Sequence, residues 1–117
     1  MSTLPPAVSD AQPIIVLVTA GSAENAETIA RALVSERLAA CVNVFSGLRS
    51  IYRWNAEVTT DSEWMLLIKT ARGKFEAVEA RVKSLHAYEL PEVIALDVVK
   101  GSKPYLDWLL GALSASE

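Results

Sequence analysis

The sequence predicts an α+β domain, on three observations. Short β-branched or aromatic runs alternate with stretches of helical periodicity. Glycine and proline fall at the boundaries between them. Two long extended segments lie back to back near the middle of the 117 residues.

Each element follows from its own residues. Residues 14–20, IIVLVTA, are a β-branched run too short for a buried helix, and Gly21 bounds it. Ser22 then offers a side-chain oxygen to cap a helix. Ala26, Ile29, Ala30, Leu33 and Val34 recur at helical spacing, and Glu27 with Arg31 forms an i,i+4 pair on the outer face, which predicts a helix over 23–38. The next stretch, CVNVFSGLRSIYRWN from Cys41, is rich in Val, Ile, Phe, Tyr and Trp, and Ser46-Gly47 interrupts it as a bulge would. Asn55-Ala56 makes the turn, EVTTDSEWMLLIKT returns as a second long strand, and Arg72-Gly73 ends it.

Phe75, Val78, Val82 and Leu85 mark a second helix, with Lys74, Glu76, Glu79 and Lys83 on its wet side. Pro91 blocks continuation, and residues 93–99, VIALDVV, read as a fourth strand. Gly101 turns the chain, and Pro104 opens a last helix carrying Leu106, Leu109, Leu110 and Leu113. The order is β-α-β-β-α-β plus a terminal helix, a ferredoxin-like arrangement with a long central hairpin. Residues 13–117 form this domain, and residues 1–12, rich in Pro, Ser and Ala, read as a disordered tail.

Composition excludes several functions. A formal charge of -3 lacks the basic face that a nucleic-acid binder needs. No apolar run reaches the roughly 18 residues that would span a bilayer. The first residues lack the charged start and apolar core of a secretory signal. One cysteine cannot form an internal disulfide, so the expected compartment is reducing, the cytoplasm by default.

Two features point to self-association. Right-handed crossovers would place both main helices on one face of the sheet. Yet residues 14–18, 64–68 and 93–96 are almost continuously apolar, so both faces call for burial, and one terminal helix covers only part of the second. A strand of fifteen residues also reaches about 50 Å, against a radius of gyration of about 13 Å for a domain of this size. The expectation is a closed homo-oligomer.

Four blocks, LAACVNVFSGLRSIYRW, DSEWMLLIKT, LHAYELPEVIAL and YLDWL, together resemble the CutA divalent-cation-tolerance family over nearly everything after Pro13. The resemblance implies a ferredoxin-like homotrimer linked to tolerance of copper and other divalent metals, with a shape similar to the PII signalling proteins. The family usually reads His-Pro-Tyr where this chain has His86-Ala87-Tyr88, and carries glycine where Ala56 sits. Some members have a cysteine at the position of Val18 or a second histidine at that of Leu85.

The chemistry-bearing residues are few. His86, the single histidine, has two readings: a ligand for Cu(II) or Zn(II), or a cation at the end of the second helix. Glu89 could add a carboxylate to a site shared between subunits. Cys41 is either a soft ligand or a small core hydrophobe. Tyr52, Trp54, Trp64, Tyr88, Tyr105 and Trp108 suit a subunit interface or a stacking pocket between subunits, and Lys69 could hold an anion. Asp61 and Glu63, two apart on one side of a strand, read as edge-protecting charges. No CxxC, HExxH, Walker A or GxGxxG motif is present, no cofactor is required, and no enzyme is expected. Two functions remain: a trimeric metal-tolerance protein, or a PII-like module that binds a small ligand between subunits.

Overall fold

The computed structural model describes residues 9–114. β1 (Pro13–Ala20), α1 (Ala23–Ser35), β2 (Cys41–Trp54), β3 (Glu57–Ala71), α2 (Phe75–Leu85), β4 (Ile94–Asp97) and α3 (Lys103–Ala112) follow in the expected order. A single 3-10 turn, Arg72–Lys74, leads into α2. The strands form one sheet in the order β2-β3-β1-β4, and each neighbouring pair is antiparallel. Thus β3 inserts between the two strands that α1 joins, and β1 inserts between the two that α2 joins.

The core lies on one face of this sheet. Val16 pairs with Ile68 and Val18 with Leu66, so alternation turns these four side chains to the same side. Ala26, Ile29, Ala30 and Leu33 of α1 and Val78 and Val82 of α2 close over them, all buried. Each large aliphatic side chain buried this way contributes about 1.5–3 kcal/mol. Thr70 is wholly buried among them and satisfied, its hydroxyl donating to the Leu38 carbonyl at 2.7 Å.

Local signals set the element ends. Ser22 caps α1, its hydroxyl accepting from the Asn25 N–H at 3.1 Å. The helix stops at Ser35, three residues before the expected end at 38, because Arg37 adopts a left-handed φ of 58°. There the Leu38 N–H reaches back to the Leu33 carbonyl at 2.9 Å and the Arg37 N–H to that of Val34 at 3.1 Å, the pairing of a Schellman stop. Leu38 turns in against the core, and its apolar side chain had extended the periodic pattern past the true end.

The hairpin matches its sequence closely. The register shifts between Phe45 and Leu48, and Gly47 sits at φ 84°, so Ser46-Gly47 is a bulge. Asn55 and Ala56 both have positive φ, 51° and 65°, as a two-residue type I′ turn demands. The molecule is accordingly elongated, 51 Å along its longest axis with a radius of gyration of 15.9 Å.

Two further boundaries differ from expectation. β4 spans four residues rather than the seven of 93–99. Asp97 faces Ile14, so residue 99 would need Gln12 as its ladder partner, but the chain turns there, the Gln12 N–H bonding Ser9. Of the expected tail, residues 1–8 lie outside the described residues. Residues 9–12 are fastened: the Arg72 N–H donates to the Gln12 carbonyl, and the Gln12 amide donates to the Val98 carbonyl.

The second face is only partly covered. α3 packs Leu109 and Leu113 on Ala71, with Ala40 and Leu110 beside them. Ile15, Leu17, Met65 and Leu67 stay half-buried, and Phe45, Ile94 and Leu96 are exposed.

Candidate functional site

The polar chemistry gathers where β1 ends and the hairpin leaves the body of the sheet. His86 closes α2, its backbone N–H bonding the Val82 carbonyl at 2.8 Å. Its ring is fully engaged. Nε2 lies 2.7 Å from the Thr19 carbonyl, which can only accept, so Nε2 carries the proton. Nδ1 accepts from the Tyr88 N–H at 3.0 Å and is therefore bare. This is a neutral imidazole that ties the segment after α2 to β1. A helix-end cation would aim a second N–H at the Tyr88 N–H, and a metal ligand would have to surrender one of these bonds.

Tyr88 is the next piece. Its ring leans on His86, with centroids 4.8 Å apart. Its hydroxyl passes over Gly21, where a Cβ would sit 2.7 Å from the phenolic oxygen, and donates to Glu63 Oε2 at 2.9 Å. Burial first, then the bond to Glu63, pushes the Tyr88 phenol up to about 12. Glu63 itself is only 7% exposed. Glu92 borders the same junction: burial, then the Glu63 charge, raises its carboxyl above the usual range. One step along β3, the Tyr52 hydroxyl donates to Asp61, which raises the Tyr52 phenol in turn. The result is a strip of phenols and carboxylates, Tyr52, Asp61, Glu63, Tyr88 and Glu92.

Sequence reasoning missed the centre of this strip. Glu63 was an edge charge, and Glu92 drew no notice. The signal for Glu63 was its place on the same strand face as Met65 and Leu67, which makes it a carboxylate in an apolar row.

The expected ligands do not converge within one chain. Cys41 faces Lys69, whereas the strand position beside His86, Thr19, faces Met65. Those sites are four residues apart along β3, about 13 Å. Glu89 is exposed. Among the described residues no three His, Cys, Asp or Glu side chains group as a metal site. The set His86, Cys41 and Glu89 therefore does not fit a metal in a single subunit.

The aromatic candidates scatter. Trp64 packs against the core, on the helix side. Trp54 stands exposed at the hairpin tip. Tyr105 and Trp108 of α3 pack with ring centroids 5.5 Å apart, both partly exposed, with the Lys69 ammonium 5.7 Å from the Tyr105 ring centroid. Trp108 also lines a hollow of about 740 Å³ with Val34, Arg37 and Ala40, well apart from Glu63.

Known proteins resolve the kinship. The family model for the CutA1 divalent ion tolerance protein matches residues 14–112. The chain belongs to the CutA1 family. A CutA divalent-cation tolerance protein of Thermus thermophilus is 55% identical over 81% of this chain and 92% of its own length. A solved Cut A1 structure from the same species superposes with a TM-score of 0.82 at 54% identity, covering 83% of this chain and 94% of that one. A CutA protein of Arabidopsis thaliana, named as chloroplastic, is 44% identical over 82% of this chain, which spans about half, 53%, of that longer relative. The CutA1 match covers every element from β1 to α3 and both halves of the Glu63–Tyr88 contact.

Proposed function

We propose that this CutA1 chain is a divalent-cation-tolerance protein. In this reading it works as a homotrimer of ferredoxin-like subunits and holds a divalent ion, copper among them, weakly at the Glu63–Glu92 junction. The observation that carries the reading is a carboxylate buried to 7% exposure, beside a second whose charge is already disfavoured. Two such groups invite a cation. They also limit its affinity, since hard ions want six or more oxygens and two carboxylates supply few.

Assembly is supported by the exposed apolar row Phe45, Ile94 and Leu96 on the open sheet face, and by the projecting hairpin. The reading assigns no catalysis, since the single cysteine and the strand position beside the single histidine stand about 13 Å apart along β3. It places the protein in a reducing compartment such as the cytoplasm, where the free Cys41 persists as a thiol.

Native mass spectrometry with Cu(II) and Mn(II) tests it on the wild type, His86→Ala, Glu63→Gln and Glu92→Gln. The expected result is a trimer whose ion uptake survives in His86→Ala and is lost in both glutamine variants. Loss in His86→Ala alone would return the site to the imidazole. No uptake by the wild type sinks the metal reading, and a monomer sinks the assembly.

A further inference from the structure

We propose that in the assembled protein Glu63 is paired with Arg53 from the hairpin tip of a second copy. The inference rests on the assembly reading above and names the residue that the neighbouring copy contributes to the site.

Glu63 states the need. It is 7% exposed, one carboxylate oxygen accepts from Tyr88, and among the described residues no Lys, Arg or His lies in ion-pair range of it. A carboxylate withdrawn from water without a cation is strongly disfavoured, and a paired one is not. Apart from the His86 imidazole, whose two nitrogens are taken up by the Thr19 carbonyl and the Tyr88 N–H, the side chains that gather there are phenols and carboxylates: Tyr52, Asp61, Tyr88 and Glu92. The junction of one chain therefore lacks its positive half.

Arg53 supplies that half. Among the described residues neither Arg49 nor Arg53 takes part in an ion pair. Register puts them on the opposite face of the hairpin from the acids: Arg53 faces Val58 and Arg49 faces Ser62, while Glu63 faces Leu48 and Asp61 faces Ser50. Arg53 is five ladder steps from Glu63, about 17 Å, and on the wrong face, so it cannot turn back to its own acid. Arg49 sits next to the body of its own domain, whereas Arg53 rides at the tip, where a neighbour can be reached.

The surroundings match as well. Ile51 and Val58 flank Arg53 on its face, each 68% exposed. Phe45 and Tyr88 stand exposed beside Glu63. Apolar contact would thus enclose the ion pair, and a guanidinium can stack on an aromatic ring while pairing with a carboxylate. Tip-to-root contact of this kind uses two different patches, so it repeats head to tail, and it closes into a ring where the rotation from copy to copy completes a turn. It also sets Arg53 in competition with any divalent ion for Glu63.

Sedimentation equilibrium at low and high salt, on the wild type, Arg53→Glu, Arg53→Lys, Arg49→Glu and Glu63→Gln, tests the pairing. Arg53→Glu should raise the concentration for half-assembly by about 30-fold or more, with Arg49→Glu within about twofold of wild type. Arg53→Lys should recover part of the loss. Arg53→Glu combined with Glu63→Gln should assemble no worse than Arg53→Glu alone, the mark of one shared contact. Where chains remain associated, Arg53→Glu should take up Mn(II) more tightly than wild type. Arg53 is exposed, so its variants test the pairing even if Glu63→Gln fails to fold. Unchanged assembly of Arg53→Glu, or losses from Arg53 and Glu63 that simply add, overturns the proposal. A monomeric wild type instead overturns the assembly reading beneath it.

Discussion

Ala56 holds a backbone angle that its side chain resists. A φ of 65° costs an L-residue roughly 1 kcal/mol or more, and glycine escapes that cost. Ala56→Gly should therefore stabilise the protein by about 0.5–1 kcal/mol after the added freedom of the unfolded chain is subtracted, read as a higher thermal midpoint. Tyr88 gives the second residue-scale prediction. Its phenol is held neutral up to about 12, so its contribution to stability is complete below the ordinary value of 10 and is lost as pH rises through 12. Following phenolate absorbance with pH should show a last phase near 12 that is absent in Tyr88→Phe, behind a Tyr52 phase that also lies above the usual value. Gly21→Ala should bring it forward, because the new Cβ pushes the hydroxyl off Glu63. A late phase that persists in Tyr88→Phe would assign it elsewhere. His86 makes the same point about geometry: its role as a two-ended tie depends on the Thr19 carbonyl and the Tyr88 N–H, and neither is visible in the spelling SLHAYELPEV.

At the scale of elements, short-range chemistry was legible and long-range partnership was not. Ser22 as cap, the Glu27–Arg31 pair at 2.8 Å, the Ser46-Gly47 bulge and the Asn55-Ala56 turn all depend on neighbours within a few residues. The ends of α1 and β4 depend on distant ones. Arg37 accepts a left-handed backbone while its guanidinium donates to the Ala112 carbonyl, 75 positions away in sequence. β4 ends because the strand beside it runs out of ladder at Pro13. The candidate site suffered most from this limit. Glu63, Tyr88 and Glu92 meet only because the segment after α2 crosses the end of β1 at Gly21, a close approach that no spacing rule encodes.

The whole molecule carries an imbalance between its two sheet faces. One is sealed by α1 and α2, while the other leaves Ile94, Leu96 and Phe45 in contact with solvent in the isolated chain. Apolar runs at 14–18, 64–68 and 93–96 had announced this from the sequence, because a strand that is apolar at successive positions needs cover on both sides. Leu96→Asp tests the consequence. Leu96 is exposed in the single chain, so the substitution should leave far-UV circular dichroism unchanged while reducing the sedimenting mass towards one subunit. Loss of the fold itself would instead make Leu96 part of the subunit core.

The Ser46-Gly47 bulge has a reach beyond its own strand. Two residues there stand opposite Trp64, with Phe45 on Met65 before them and Leu48 on Glu63 after. Deleting Gly47 would leave one residue opposite one, keep every later pair and every side chain on its present face, and remove only the local bend and extra twist. The hairpin would then leave the domain at a different angle with its chemistry unaltered. In a head-to-tail assembly that angle decides how many copies complete a turn, and whether the last meets the first at all. One glycine, with no side chain of its own, would thus set the count of subunits: a small change in its arc separates a closed ring from an endless thread.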